Sequence, residues 1–116
     1  MAPSAAGAST QATERAKAIE TSGRTGVWIT PAAICMRDAK AGRKATLGWN
    51  VKARGTGHVI AFVLDKHGDE ARFAQAGPIG ERQTGAWLRP GLAFRLRDAD
   101  SHALLGSVVV ADASCD

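Results

Sequence analysis

Residues 44–51 read Lys44-Ala45-Thr46-Leu47-Gly48-Trp49-Asn50-Val51, and this stretch decides the fold class. Ala45, Leu47, Trp49 and Val51 fall on one side, and Lys44, Thr46, Gly48 and Asn50 fall on the other. A period of two places one face in a core and the other in water, which is the pattern of a half-buried β-strand. The bulky Trp49 marks the inward face.

The chain outward from this stretch repeats the theme. On its N-terminal side, residues 27–30 (Val27-Trp28-Ile29-Thr30) form a strand ended by Pro31, because proline cannot serve a central ladder. Residues 32–36 continue it after a kink, and 37–44 form a connecting loop. On the C-terminal side, apolar runs at 58–65, 70–75, 82–88, 92–99 and 103–111 read as strands. Lys66-His67-Gly68-Asp69, Gly77-Pro78-Ile79-Gly80 and the segment 98–102 separate them with turn residues. Short strands at roughly eight- to twelve-residue spacing indicate an all-β sandwich or barrel.

Residues 1–24 differ in texture. Pro, Ala, Ser, Gly and Thr dominate, and Ile19 is the only large aliphatic side chain beyond Met1. Such a segment cannot bury enough apolar surface to offset its ordering entropy. The expected organisation is a disordered or weakly helical arm at 1–24 followed by one β domain at 25–116.

Two motifs sharpen the fold. The stretch Ala45-Thr46-Leu47-Gly48-Trp49-Asn50-Val51 resembles the second strand of fibronectin type III domains, with its core Trp. Leu88-Arg89-Pro90-Gly91-Leu92-Ala93-Phe94 resembles that family's Leu-x-Pro-Gly-x-x-Tyr segment at every fixed position. The departure is Phe94, which lacks the hydroxyl that ties the corner to backbone, so packing against Trp87 is expected to hold it. The resemblance spans roughly residues 26–112. It implies a seven-stranded antiparallel immunoglobulin-like or fibronectin type III-like sandwich with a flexible N-terminal arm. It also implies an extracellular or cell-surface setting, and it says little about activity, because such folds host many unrelated functions.

Composition narrows the function classes. The 116 residues suffice for one domain, and 13 are glycine, which suits a turn-rich fold. No apolar run approaches the ~18 residues of a membrane span, and residues 1–10 lack the charged start and apolar stretch of a signal peptide. A net charge of +4 is a mild excess that does not demand nucleic acid. Arg37, Lys40, Arg43, Lys44, Lys52 and Arg54 concentrate it. They flank the two ends of the 44–51 strand, about 20 Å apart, so they divide between two poles. The one aromatic residue among them, Trp49, lies on the inward face of its strand, so stacking on bases is not expected.

Motifs for catalysis are lacking. There is no Gly-x-Ser-x-Gly, no His-Glu-x-x-His and no phosphate loop. The three histidines are scattered. The run Asp98-Ala99-Asp100-Ser101-His102 resembles the start of an oxygen-ligand metal loop, but its twelfth position is Val109 rather than an acid. It reads as a solvated turn, with Asp98, Asp100 and His102 as the only residues around which an enzyme site would assemble. No catalytic role, cofactor or metal is therefore expected. Cys35 and Cys115 have no metal or redox spacing. Free thiols are expected, since Cys115 is second to last in a stretch prone to fray. A bond would close a loop of about 80 residues and place the chain in an oxidising compartment.

The functional clue is a surplus of apolar surface. The strands at 58–65 and 103–111 are apolar on both faces, and the family topology puts them in one sheet. One outer surface then carries Ile60, Phe62 and Leu64 (or the alternate set), Arg95, Arg97 and Val109. An apolar patch edged by arginine is interface-like. The leading reading is a non-catalytic accessory module that binds a protein partner or a second copy through this face. The competing cover is the 1–24 arm, folded over the same face through Ala16 and Ile19. The alternative function is a carbohydrate-binding module with Trp28 and Trp87 as stacking platforms.

Overall fold

The computed structural model describes residues 14–115. The first thirteen residues of the arm, and Asp116, lie outside the described residues. Within them the chain forms α1 (14–22), β1 (Gly26–Thr30), β2 (Ala33–Ile34), α2 (Met36–Ala41), β3 (Thr46–Asn50), β4 (Val59–Leu64), β5 (Glu70–Ala76), β6 (Ile79–Gln83), β7 (Ala93–Asp98), β8 (Leu104–Val109) and β9 (Ala111–Asp112). A single 3₁₀ turn, Lys52–Arg54, follows β3. The fold is all-β, with antiparallel pairing except between β2 and β9.

The strands make three sheets, ordered β1-β3-β6, β5-β4-β7-β8 and β2-β9. Nine strands in three sheets stand among the described residues, where seven were expected. The larger two sheets share one core. Ile29, Leu47 and Trp49 come from one side, and Val59, Ala61, Ala74, Phe94 and Leu96 from the other. Trp49, Phe94, Leu47 and Leu96 are fully buried. Each such side chain contributes about 1.5–3 kcal/mol by leaving water. The Trp49 indole N–H is satisfied by the Gly77 carbonyl at 3.0 Å.

Two expected elements are corrected. The 32–36 stretch is a strand only at β2. Cys35 then stands at the N-cap position of α2 without a side-chain capping bond, and periodicity did not reveal this helix. The expected strand at 82–88 lies instead at Ile79–Gln83, with 84–88 irregular. Gly80 is not a chain break. It sits opposite Trp49 in the ladder, and a Cβ there would stand 3.0 Å from the indole. The ladder ends at Thr84, whose buried hydroxyl accepts the Ala45 N–H at 2.9 Å and donates to the Gly85 carbonyl at 2.8 Å.

The cysteines are also corrected. Cys35 and Cys115 are bonded, with Cα atoms 5.3 Å apart. The parallel pairing of β2 with β9 carries the C-terminal stretch back beside Cys35, and Arg37 Nη2 donates to the Cys115 carbonyl at 2.6 Å. The terminus that composition marked as frayed is held at three points.

Candidate functional site

β4 sets the geometry of the predicted surface. Val59, Ala61 and Val63 point into the core, so Ile60, Phe62 and Leu64 take the outer face. Across the sheet Ile60 faces Gln75 and Arg97, and Phe62 faces Arg72 and Arg95. Ile60 is only 4% exposed yet belongs to no core cluster. Its cross-strand neighbours, Gln75 and Arg97, both have long side chains with apolar stems, the kind that can shield an apolar residue while keeping a polar head in water. Phe62 and Leu64 are half-buried. On β8, Leu104 and Val109 share this face and are 48% and 57% exposed.

Charge on the face is ordered. Glu70, from β5, accepts from Arg95 Nη1 at 3.2 Å and from Arg97 Nε at 3.1 Å. Arg97 also donates to the His102 carbonyl at 2.9 Å. Burial raises the Glu70 carboxyl, but the hydrogen bonds and charges of Arg95 and Arg97 outweigh it and hold Glu70 below its ordinary value. The structure thus brings Ile60, Phe62, Leu64, Arg95, Arg97 and Val109 to one side of the sheet, but Ile60 is buried there and is not presented to a partner. Sequence reasoning missed Glu70 and Arg72, which β5 adds to the same face. The signal was the strand's own alternation, which the bulge between Ala61 and Phe62 interrupts.

The described part of the arm does not cover this face. Helix α1 lies against the opposite sheet, over Trp28. A groove of about 310 Å³ between them is lined by Arg15, Ala18, Ile19, Ser22, Arg24, Trp28 and Glu81. Arg15 pairs with Glu81 at 3.6 Å, Glu20 with Lys52 at 2.6 Å, and Asn50 Nδ2 donates to the Arg24 carbonyl at 2.9 Å. The physical reason is Trp28 itself. It projects from the polar side of β1 across Gly48, and an indole there needs cover.

The two proposed platforms are therefore separate. Trp28 carries the Arg24 guanidinium at 4.3 Å from the ring centroid and is half-buried. Trp87 belongs to the loop after β6. It stacks on Phe94 at 6.3 Å and meets Phe73 edge-on at 6.0 Å, while 43% of it stays exposed. The two rings do not form one platform.

The acidic turn is structural in its bonding. Asp98 accepts the Ser101 N–H at 2.7 Å, the Asp100 N–H at 3.0 Å and the Thr56 hydroxyl. The Ser101 amide first, then Thr56, lowers its carboxyl to about 2. His102 adopts a left-handed φ of 63° at the turn's end. Among the described residues, no three His, Cys, Asp or Glu side chains gather where they would hold a metal. No helix among them is long and apolar enough to cross a membrane.

No protein-family model matches the chain, and neither a curated protein nor a solved structure is significantly similar to it.

Proposed function

We propose that this chain is a non-catalytic binding module of the immunoglobulin-like or fibronectin type III-like kind, and that the outer face of the β5-β4-β7-β8 sheet receives an acidic protein partner. The observation that carries the reading is the half-buried pair Phe62 and Leu64, with exposed Leu104 and Val109 on the same face, over which no described helix lies, although α1 covers the other sheet. The strand order supports the family reading, since β4, β7 and β8 lie in one sheet as the resemblance implies. The disulfide favours an extracellular or cell-surface setting.

Sign of charge selects the partner. The face presents Arg72, Arg95 and Arg97 against Glu70 alone. A two-fold pairing of copies sets each patch against itself, so arginines would oppose arginines. An acidic partner meets no such repulsion. Arg95 and Arg97 are already anchored on Glu70, so less side-chain entropy is lost on binding.

Selection of displayed random peptides against the whole chain tests this. Enriched peptides should combine acidic and apolar residues, and Phe62→Ser or Arg95→Gln should weaken them about tenfold or more. Peptides without acidic bias, or binding indifferent to both changes, would refute the reading. A concentration-dependent dimer in sedimentation velocity would replace the partner by a second copy.

A further inference from the structure

The loop that carries Trp87 is not isolated. The Leu88 N–H donates to the Arg43 carbonyl at 3.2 Å, and a Cβ on Gly42 would stand 3.6 Å from the Cβ of Ala86. This puts Trp87 at the end of the structure where α2 finishes and β3 begins. Lys40, Arg43 and Lys44 come to that end from one segment, and Arg89 follows Trp87 from the other. All four are exposed. Arg43 approaches Asp38 only at 3.8 Å, and the side chains of Lys40, Lys44 and Arg89 pair with no described residue. Of the remaining cations of the sequence cluster, Arg37 is engaged by the Cys115 carbonyl, and Lys52 and Arg54 sit at the far end of β3, engaged by Glu20 and the Leu105 carbonyl. The basic cluster, whose own aromatic Trp49 is buried, thus acquires an exposed one in space.

We propose that this end of the molecule, formed by Lys40, Arg43, Lys44, Trp87 and Arg89, binds an acidic polysaccharide, one ring of which lies on Trp87 while the cations take its carboxylates or sulfates. Trp87 is suited to this because its inner side rests on Phe94 and Phe73, which fixes the ring and leaves the rest of it open. Gly85 gives it room, since a Cβ there would overlap the indole nitrogen. A polysaccharide fits better than single-stranded nucleic acid for two reasons. Nucleic-acid grooves use successive aromatics for successive bases, and here a single ring is offered. The Cys35–Cys115 bond, which immediately precedes α2 in the chain, persists in oxidising compartments rather than in the cytosol. This site is distinct from the sheet face proposed above, and neither depends on the other.

The test titrates the full chain with polygalacturonate, a sulfated galactan, a neutral galactan and a single-stranded oligonucleotide, following tryptophan fluorescence and heat. One of the two acidic polysaccharides should bind and perturb the fluorescence, and the neutral one should not. With about four contacts, affinity should fall roughly 50-fold between 50 and 200 mM salt. Trp87→Phe should remove the fluorescence change, and Lys44→Gln with Arg89→Gln should weaken binding about tenfold. These two side chains are exposed, so the fold stands, and a thermal melt checks it. Silence of both acidic polysaccharides, equal binding of the neutral one, tighter binding of the oligonucleotide, or an unaffected double variant would each overturn the proposal.

Discussion

Gly48→Ala should destabilise this protein, although alanine is the better residue for an ordinary strand. An added Cβ would overlap Nε1 of Trp28 and stand 2.5 and 2.8 Å from its Cε2 and Cζ2. None of these contacts can persist, so the indole must leave its seat. Overpacking of this kind costs about 1–3 kcal/mol. The move also forfeits the Arg24 contact over the ring, worth about 0.5–1 kcal/mol at a partly exposed site. Replacing glycine in a strand returns about 0.5–1 kcal/mol through chain entropy. The last two terms cancel, so the net expectation is a loss of about 1–3 kcal/mol, read as a lower urea midpoint. Because Ile19 and Ala18 line the groove beside Trp28, trypsin should also cut faster at Arg15 and Lys17. The control is the same change in a Trp28→Ala background, where the clash has no partner and the penalty should vanish. A neutral or stabilising Gly48→Ala, or an equal penalty in both backgrounds, would refute the placement of Trp28 and with it the docking of α1.

Removing the disulfide with Cys35→Ala and Cys115→Ala should lower unfolding free energy by about 4–5 kcal/mol, since the bond spans 80 residues; a loss under about 1 kcal/mol in urea titrations would show that the unfolded chain is compact without it. Asp98 supplies an acid-sensitive tie. Its folded carboxyl lies at about 2 against an ordinary 3.8, so its contribution is complete above about pH 4 and disappears as pH falls through 2. Melting temperature should therefore decline less steeply from pH 4 to 2 in Asp98→Asn than in the parent. Thr84→Val should cost about 1–3 kcal/mol by leaving the Ala45 N–H unpaired in the core, measured by chemical denaturation.

What could be read from the chain, and what could not, divides along physical lines. The 44–51 stretch was legible because only one of its faces is apolar, and Ala45, Leu47, Trp49 and Val51 are all buried. β4 was not, because both its faces are apolar and periodicity gives no phase. Its phase is set by partners distant in sequence, with Gln75, Arg97 and Arg95 paired opposite the outer row. Gly80 misled because a glycine that clears space for Trp49 looks the same as one that turns the chain. The docking of α1 had a signal in Trp28, a large aromatic on the polar side of its strand. The disulfide had none, since it follows from the β2-β9 pairing. The outer-face candidates were found because they alternate on β4 and β7. The surroundings of Trp87 could not be read from the sequence, because three of its four cationic neighbours, Lys40, Arg43 and Lys44, lie more than forty residues upstream and are brought near by the Leu88–Arg43 backbone bond.

The Cys35–Cys115 bond has a mechanical consequence. Tension applied between the arm and the C-terminal stretch passes through a covalent shortcut. The 80-residue span between the cysteines carries none of it. Unfolding that span would otherwise release a contour of about 280 Å. With the bond intact, only the arm, β1 and β2 can be peeled away, and both faces proposed for binding stay behind the shortcut. Reduction would turn a short, stiff link into an extensible one.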